Sequence, residues 1–125
     1  MLLLLNGKED VDVAAWRAGT VLAGGFDDST ITVKRFWAVM AGVTPQERAG
    51  VIRFATGTAR VPLDGFDPPF TLTRKEDVAQ EDVDGMLPTS HSCFNQLVLP
   101  EYSSVKVLKE KLLYAAAHCS GFHLA

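Results

Sequence analysis

The sequence contains very little cysteine. Only Cys93 and Cys119 occur in 125 residues, and neither belongs to a CxxC pair or a Cys/His cluster with the spacing of zinc ligands. A chain of this length buries roughly two-thirds of its unfolded surface, so it needs no metal or disulfide to fold. We therefore expect no metal, no cofactor and a reducing compartment, the cytoplasm with the nucleus as the alternative.

Basic charge is also scarce. The chain has 12 lysines and arginines against 15 aspartates and glutamates, which gives a net charge of -3. A protein that binds phosphate backbones needs a concentration of positive charge, and no basic stripe is present. The composition argues against nucleic acid as a partner.

Long apolar runs are missing as well. Residues 1–5 are apolar, but they lack a basic flank and are followed at once by Asn6-Gly7-Lys8. This run is too short for a signal peptide or a membrane span, so we expect no membrane association and interpret it as a strand fragment. Four uncovered leucines would promote aggregation, which favours packing against a partner surface or an upstream domain.

Helical signals are present at three places, and no repeat or low-complexity stretch interrupts them. After Ser29, apolar residues at i, i+3, i+4 and i+7 predict an amphipathic helix that ends at Gly42; its buried face is Val33, Phe36, Trp37 and Met40. A second helix should begin at Thr44, which with Glu47 forms a capping box, and end at Gly57.

The third predicted helix covers residues 104–118 and is closed by Gly121. Its predicted buried face is Val105, Leu108, Leu112 and Ala115. A shorter helix at 12–18, buried through Val13 and Trp16, is also expected.

Strand signals occur at 70–73, which alternates, and at 96–99, which is apolar and is stopped by Pro100. Three prolines and two glycines make 57–69 irregular, with an extended piece at 59–63. The acidic segment 74–88 is expected to be a solvated loop. Together these elements predict an α/β (α+β) fold in which a small mixed sheet is flanked by several helices.

Reactive side chains concentrate in residues 87–97, a polar turn that leads into the predicted strand at 96–99. Cys93 lies at that junction, where a nucleophile is held by the scaffold and stays accessible. If the segment is extended, His91 and Cys93 project to the same face and the imidazole can assist the thiolate. From local chemistry alone, a buried structural cysteine beside a turn-capping histidine is the more common case.

The order of residues in this segment is more specific than the types of reactive side chain it contains. Residues 87–95 (LPTSHSCFN) and 99–102 (LPEY) resemble the active-cysteine signature of HECT-type ubiquitin-protein ligases. The resemblance extends to 35–37 (RFW), 54–66 (FATGTARVPLDGF), 108–112 (LKEKL) and the tail GFHLA at 121–125. It departs from the family at Ser92, where threonine is usual, and at His123, where glycine is frequent.

The resemblance implies a domain division and an activity. Residues 1–10 would be the remnant of an upstream N-lobe strand and the interlobe hinge, and 11–125 the catalytic C-lobe. Cys93 would accept ubiquitin from a conjugating enzyme as a glycyl thioester and transfer it to a substrate lysine. The implied partners are ubiquitin, the conjugating enzyme, the substrate protein and the N-lobe, which would precede residue 1.

Roles around the nucleophile follow from the same resemblance. His91 is the candidate for assistance to the thiolate, by a hydrogen bond or partial positive charge. Thr89, Ser90 and Asn95 are candidates for holding the loop or orienting the carbonyl, although a turn would use them equally well.

More distant residues complete the set. Phe122 is expected to dock on the other lobe and position the loaded thioester. Leu97, Leu99 and Tyr102 are candidates for the apolar surface that receives ubiquitin, with core packing the more common role for the two leucines. Cys119 is expected to be inert.

Two other functions stay open on the sequence. The chain could be an inactive fragment that binds ubiquitin without a covalent bond. It could also be an unrelated cysteine hydrolase, which would need a base near Cys93; of the histidines His91, His118 and His123, only His91 is near in sequence.

Overall fold

The computed structural model describes residues 12–58, 61–62 and 65–124, with side chains up to residue 118 in the last helix. Four helices and four strands occur within these residues. In chain order they are α1 Val13–Ala18, β1 Val21–Ala23, α2 Ile31–Gly42, α3 Pro45–Thr56, β2 Thr71–Arg74, β3 Thr89–His91, β4 Gln96–Leu99 and α4 Val105–Leu124. The predicted strand fragment and hinge at 1–10 lie outside the described residues, as does most of the extended piece predicted at 59–63.

The strands form one sheet in the order β1-β2-β4-β3. β1 and β2 are parallel, β2 and β4 are parallel, and β3 runs antiparallel to β4. The small mixed sheet confirms the predicted α/β fold. It leaves β3 at one edge, where β4 is its one neighbouring strand among the described residues.

Local signals account for the start of α1 and for both ends of α3. The Thr44 hydroxyl accepts a hydrogen bond from the Glu47 amide (3.1 Å), and the Glu47 carboxylate accepts one from the Thr44 amide (3.0 Å), so the predicted capping box of α3 is confirmed. Gly57 ends α3 in the left-handed conformation at φ 84°. Asp12 caps α1 through the Ala15 amide.

A single core lies between the helices and the sheet. Its aromatic centre is an edge-to-face cluster of Trp16 with Phe36, Trp37 and Phe70, at ring-centroid distances of 5.0 to 5.9 Å. The buried residues of the sheet and of α4 pack around it: Leu72, Leu97, Leu99, Leu108, Leu112 and Ala115. The predicted inner faces of α2 and α4 are confirmed apart from one residue of α4.

That residue is Val105, which is 46% exposed because it occupies the first turn of α4. The predicted end of α4 at Gly121 is also wrong, because the helix continues to Leu124. Glycine permits a helix to end without requiring it. None of the helices in the described part of the chain combines the length and apolar character that a membrane crossing requires.

The acidic segment 74–88 is more ordered than a solvated loop. It contains the 3₁₀ turn Gln80–Gly85, in which Val83 is buried. Asp84 and Met86 form hydrogen bonds with residues that follow β4. The prediction missed this because the two contacts join positions that are 16 and 19 residues apart in the sequence.

Candidate active site

Cys93 lies at the tip of a hairpin formed by β3 and β4, in a single 3₁₀ turn at Ser92–Phe94 that we call the cysteine turn. We call the whole unit, residues 89–99, the cysteine hairpin. The Cys93 thiol is free and the residue is exposed, as are Ser92 and Phe94 beside it. A nucleophile placed here can be reached by a large acyl donor.

Asn95 fixes the cysteine turn to the rest of the fold. Its backbone is left-handed (φ 53°, ψ 46°), a conformation that asparagine tolerates better than most residues. Its side-chain Nδ2 donates to the Pro68 carbonyl at 2.7 Å, and its own carbonyl accepts from the Thr71 amide at 2.9 Å. Of the two roles predicted for Asn95, these contacts support holding the loop.

His91 is the last residue of β3 and lies opposite Gln96. The chain is not extended from His91 to Cys93, because the cysteine turn begins at Ser92. The premise that regular strand alternation places both side chains on one face is therefore wrong. The structure describes both residues and shows no hydrogen bond between the imidazole and the thiol.

Thr89 and Ser90 precede His91 on β3. Thr89 is exposed and shares a face with His91 by strand alternation, whereas Ser90 points to the opposite face and is half-buried. Ser90 lies opposite the buried Leu97 of β4. Of these β3 residues, Thr89 and His91 are the ones open to solvent.

Leu97, Leu99 and Tyr102 require a correction. The two leucines are fully buried and Tyr102 is 2% exposed, so all three belong to the core. A side chain without exposed area cannot contact a docked protein, which removes them from the apolar surface expected to receive ubiquitin. The Tyr102 hydroxyl instead donates to the Met86 carbonyl at 2.6 Å, and burial raises the pKa of the phenol.

Two exposed apolar residues that the sequence analysis did not single out lie on either side of β3, one in the cysteine turn and one at the open end of the hairpin. Phe94, within the cysteine turn, is 64% exposed, and Leu87, two residues before β3, is 39% exposed. A large apolar residue exposed next to a nucleophile is a candidate contact for a partner. A phenylalanine directly after the cysteine was the available signal, but sequence alone did not separate surface from core.

The C-terminal end of α3 lies against the cysteine turn, and α3 also packs on β3, β4 and α4. A Cβ atom built on Gly57 would come within 4.0 Å of Ser92 Cβ. The left-handed backbone at the end of α3 therefore favours glycine at position 57, whereas the neighbouring cysteine turn would leave room for a Cβ atom there. The position of Cys93 depends on α3 as well as on the sheet.

Other predicted positions stay untested. The side chains of Phe122 and Cys119 lie outside the described part of the chain, so the docking role of the first and the inertness of the second stay predictions. Within the residues that the structure describes, no cluster of three or more His, Cys, Asp or Glu side chains could hold a metal ion.

The chain is similar to known proteins over its whole length. The family model described as "HECT-domain (ubiquitin-transferase)" matches residues 1–125. The E3 ubiquitin-protein ligase HACE1 of Bos taurus is 36% identical over 96% of this chain, and the E3 ubiquitin-protein ligase pub3 of Schizosaccharomyces pombe is 36% identical over 96%. The E3 ubiquitin-protein ligase hecw-1 of Caenorhabditis elegans is 35% identical over 90%. The chain spans only 13%, 15% and 9% of the lengths of these three relatives.

Proposed function

Because the chain belongs to the HECT-domain family of ubiquitin transferases, we propose that it accepts ubiquitin on Cys93 and transfers it to a lysine of a substrate protein. The observation that carries the proposal is an exposed thiol in a turn that is tied to the fold on both sides. We further propose that residues 11–125 act as the catalytic C-lobe and that residues 1–10 connect it to an upstream lobe.

The proposed reaction has two acyl transfers. The Cys93 thiolate attacks the thioester carbonyl at the C-terminus of ubiquitin, a new C–S bond forms, and the conjugating enzyme leaves as a thiolate. A substrate lysine amine then attacks the Cys93 thioester, forms an isopeptide bond, loses a proton and releases the Cys93 thiolate. Sulfur suits both steps, because a thioester keeps more acyl-transfer potential than a serine ester would.

The surroundings of Cys93 suggest how the acyl donor is received. β3 is an edge strand whose outer side pairs with no other strand among the described residues. An extended peptide tail can add to such an edge by main-chain hydrogen bonds, which would bring its terminal carbonyl towards the cysteine turn. The exposed Phe94 and Leu87 offer apolar contacts to the body of the donor. We propose that His91, exposed at the end of β3, assists once the donor is bound.

The decisive experiment is a loading assay in which this chain is joined to an upstream HECT lobe in one polypeptide. Mixed with a conjugating enzyme charged with ubiquitin, the wild type should form an adduct that a non-reducing gel shows and that dithiothreitol removes. Cys93→Ala should form none, and Cys93→Ser should form an ester that resists the reductant. Cys119→Ser, the matched control for the second cysteine, should load like the wild type.

The loading assay can also contradict the proposed function. A wild-type protein with its upstream lobe that forms no reducible adduct at Cys93 contradicts the proposal. If ubiquitin then binds equally well to the wild type and to Cys93→Ala, the chain is a non-covalent ubiquitin-binding module.

A further inference from the structure

The cysteine hairpin has a short ladder that proline interrupts at its open end. Only three residue pairs join β3 to β4, from Thr89–Val98 to His91–Gln96. Pro88 directly precedes β3 and Pro100 directly follows β4, and both are buried. Because proline has no amide hydrogen, backbone pairing loses a donor on each side beyond the ladder.

Beyond the end of the backbone ladder, side chains form the hydrogen bonds that join the two segments. The Tyr102 hydroxyl donates to the Met86 carbonyl at 2.6 Å. The Asp84 carboxylate accepts from the Ser103 amide at 2.9 Å and from the Ser103 hydroxyl at 2.5 Å. We call these three hydrogen bonds the base clasp.

The base clasp continues the alignment of the hairpin. Asp84 lies five positions before Thr89, and Ser103 lies five positions after Val98, so the Asp84–Ser103 contact falls on the register of the β3–β4 ladder. The segments that lead into and out of the hairpin are therefore joined again beyond the two prolines.

The clasp acts on one strand more than on the other. β4 is paired with β2 over four residues on its far side and carries two fully buried leucines, so the core holds it independently. Within the described residues, β3 pairs with β4 alone, packs against α3, and exposes Thr89 and His91. Loosening the base clasp should therefore loosen β3 and the side of the cysteine turn that β3 enters, while β4 keeps its place and Asn95 still holds the other side of the turn.

We propose that Tyr102 and Asp84 are positioning residues for Cys93: through the base clasp they hold β3 and the cysteine turn at a fixed place relative to the core. This inference rests on the proposed function for its catalytic consequence. Acyl transfer depends steeply on the placement of the attacking atom, so a hairpin that moves slows transfer without weakening the encounter with the donor.

Matched variants separate positioning from folding. Tyr102→Phe keeps the buried ring and removes only the hydroxyl, with Tyr114→Phe as its control because Tyr114 is 52% exposed. Asp84→Ala removes both acceptor oxygens, whereas Asp84→Asn keeps one acceptor for the Ser103 amide and should rescue part of the effect. Asp82→Ala, exposed in the same 3₁₀ turn, is the control for the acidic position.

The first measurement is hydrogen exchange on the 125-residue chain, which does not depend on any activity. In Tyr102→Phe and Asp84→Ala, the amides of 89–91 should exchange about fivefold faster or more, because a lost hydrogen bond to a buried or charged group is worth roughly that factor. The amides that join β2 to β4 should keep their wild-type rates. Uniformly faster exchange throughout the sheet, or no change at 89–91, overturns the inference.

The second measurement is the kinetics of loading and discharge in the polypeptide that carries the upstream lobe. Both variants should lower kcat by about fivefold to thirtyfold and leave KM for the charged conjugating enzyme within about twofold. A changed KM with unchanged kcat overturns the positioning role. If the wild type forms no adduct, the proposed function fails while the exchange experiment still decides the base clasp; if the wild type loads and both variants match it, only the base clasp fails.

Discussion

Cys93, Phe94 and Asn95 are consecutive residues that lie in two different environments. Cys93 and Phe94 face solvent, whereas Asn95 is held by the Pro68 and Thr71 backbone. We therefore expect substitutions of the first two residues to affect reactivity and partner contact, and substitutions of the third to affect the geometry of the cysteine turn. A substitution at each position should affect a different measurement.

Asn95 should be sensitive to both its backbone conformation and its side chain. Asn95→Ala loses the hydrogen bond to Pro68. It also places alanine in the left-handed region, which alanine tolerates less well than asparagine. We therefore expect a loss of about 2 kcal/mol in unfolding free energy. Asn95→Gly relieves the backbone and should lose about 1 kcal/mol less than alanine does. Urea unfolding of both variants checks the order, and a glycine variant less stable than the alanine variant contradicts it.

Phe94 should matter for function and not for stability. Because its side chain is 64% exposed, Phe94→Ser should change the unfolding free energy by no more than about 0.5 kcal/mol. The same variant should slow ubiquitin loading if Phe94 contacts the donor. Ile31→Ser is the matched control, since Ile31 is 58% exposed at the start of α2. Equal loading by both variants would remove Phe94 from the contact surface.

Among the elements, α3 links the local signals of the sequence to the site. Its capping box sets its start, Gly57 sets its end, and that end lies against the cysteine turn. Fraying at the C-terminal end of α3 should therefore disturb the position of the cysteine hairpin. The helix has the most complete local signals in the chain, which is why its boundaries could be predicted.

Removing the cap of α3 tests its contribution. Thr44→Ala should lower the unfolding free energy by about 1 kcal/mol, because the Glu47 amide loses its acceptor and the capping box is broken. Thr44→Ser keeps the hydroxyl and should stay close to the wild type. Thermal unfolding followed by circular dichroism compares the three proteins, and an alanine variant as stable as the serine variant would show that the cap is dispensable.

The strands could be predicted only in part. β2 and β4 carry buried leucines and were located to within a residue, but β1 and β3 are only three residues long, and neither has a fully buried residue. Their pairing depends on residues elsewhere in the chain: Val21 of β1 lies opposite Thr71 of β2, fifty positions away. A short window of sequence contains no signal for such long-range strand pairing. The extension of α4 beyond Gly121 was missed because a glycine allows termination without causing it.

For the whole molecule, the motif around Cys93 could be recognised from sequence, whereas the distribution of its neighbours between surface and core could not. Leu97, Leu99 and Phe94 are all apolar and close in sequence, yet two are fully buried and one is exposed. The base clasp could not be predicted either, because Asp84 and Ser103 are 19 residues apart in the sequence. Both depend on the tertiary fold.

The charges of the whole molecule predict its response to acid. The Ser29 and Thr30 donors lower the pKa of Asp27, and the Ser103 donors lower that of Asp84, each below its ordinary 3.8. Groups with a lowered folded pKa add stability above the unfolded value and lose it as pH falls through the folded one. Unfolding free energy measured in urea should therefore fall below about pH 4, and Asp27→Asn with Asp84→Asn should flatten that slope. An unchanged slope in the double variant contradicts the assignment.

Alkaline pH should act through Tyr102 in the opposite sense. Burial first and the nearby Asp84 charge second raise the pKa of the phenol above its ordinary 10.0. A raised folded pKa gives stability that is complete below the unfolded value and decreases as pH rises above it. Stability should therefore decline above pH 10 in the wild type and less steeply in Tyr102→Phe, measured by urea unfolding at each pH. A parallel decline in both proteins would argue against this role of Tyr102.

Pro88 and the cysteine turn also limit how much of β3 another chain can occupy. A long free strand edge invites lasting association and fibre growth, whereas one of three residues offers only a few main-chain bonds. Under the proposed function, a ubiquitin tail held by so few main-chain bonds would dissociate readily once its thioester to Cys93 is cleaved. The short length of β3, which prevented its prediction from sequence, would thus favour rapid release of the tail between catalytic cycles.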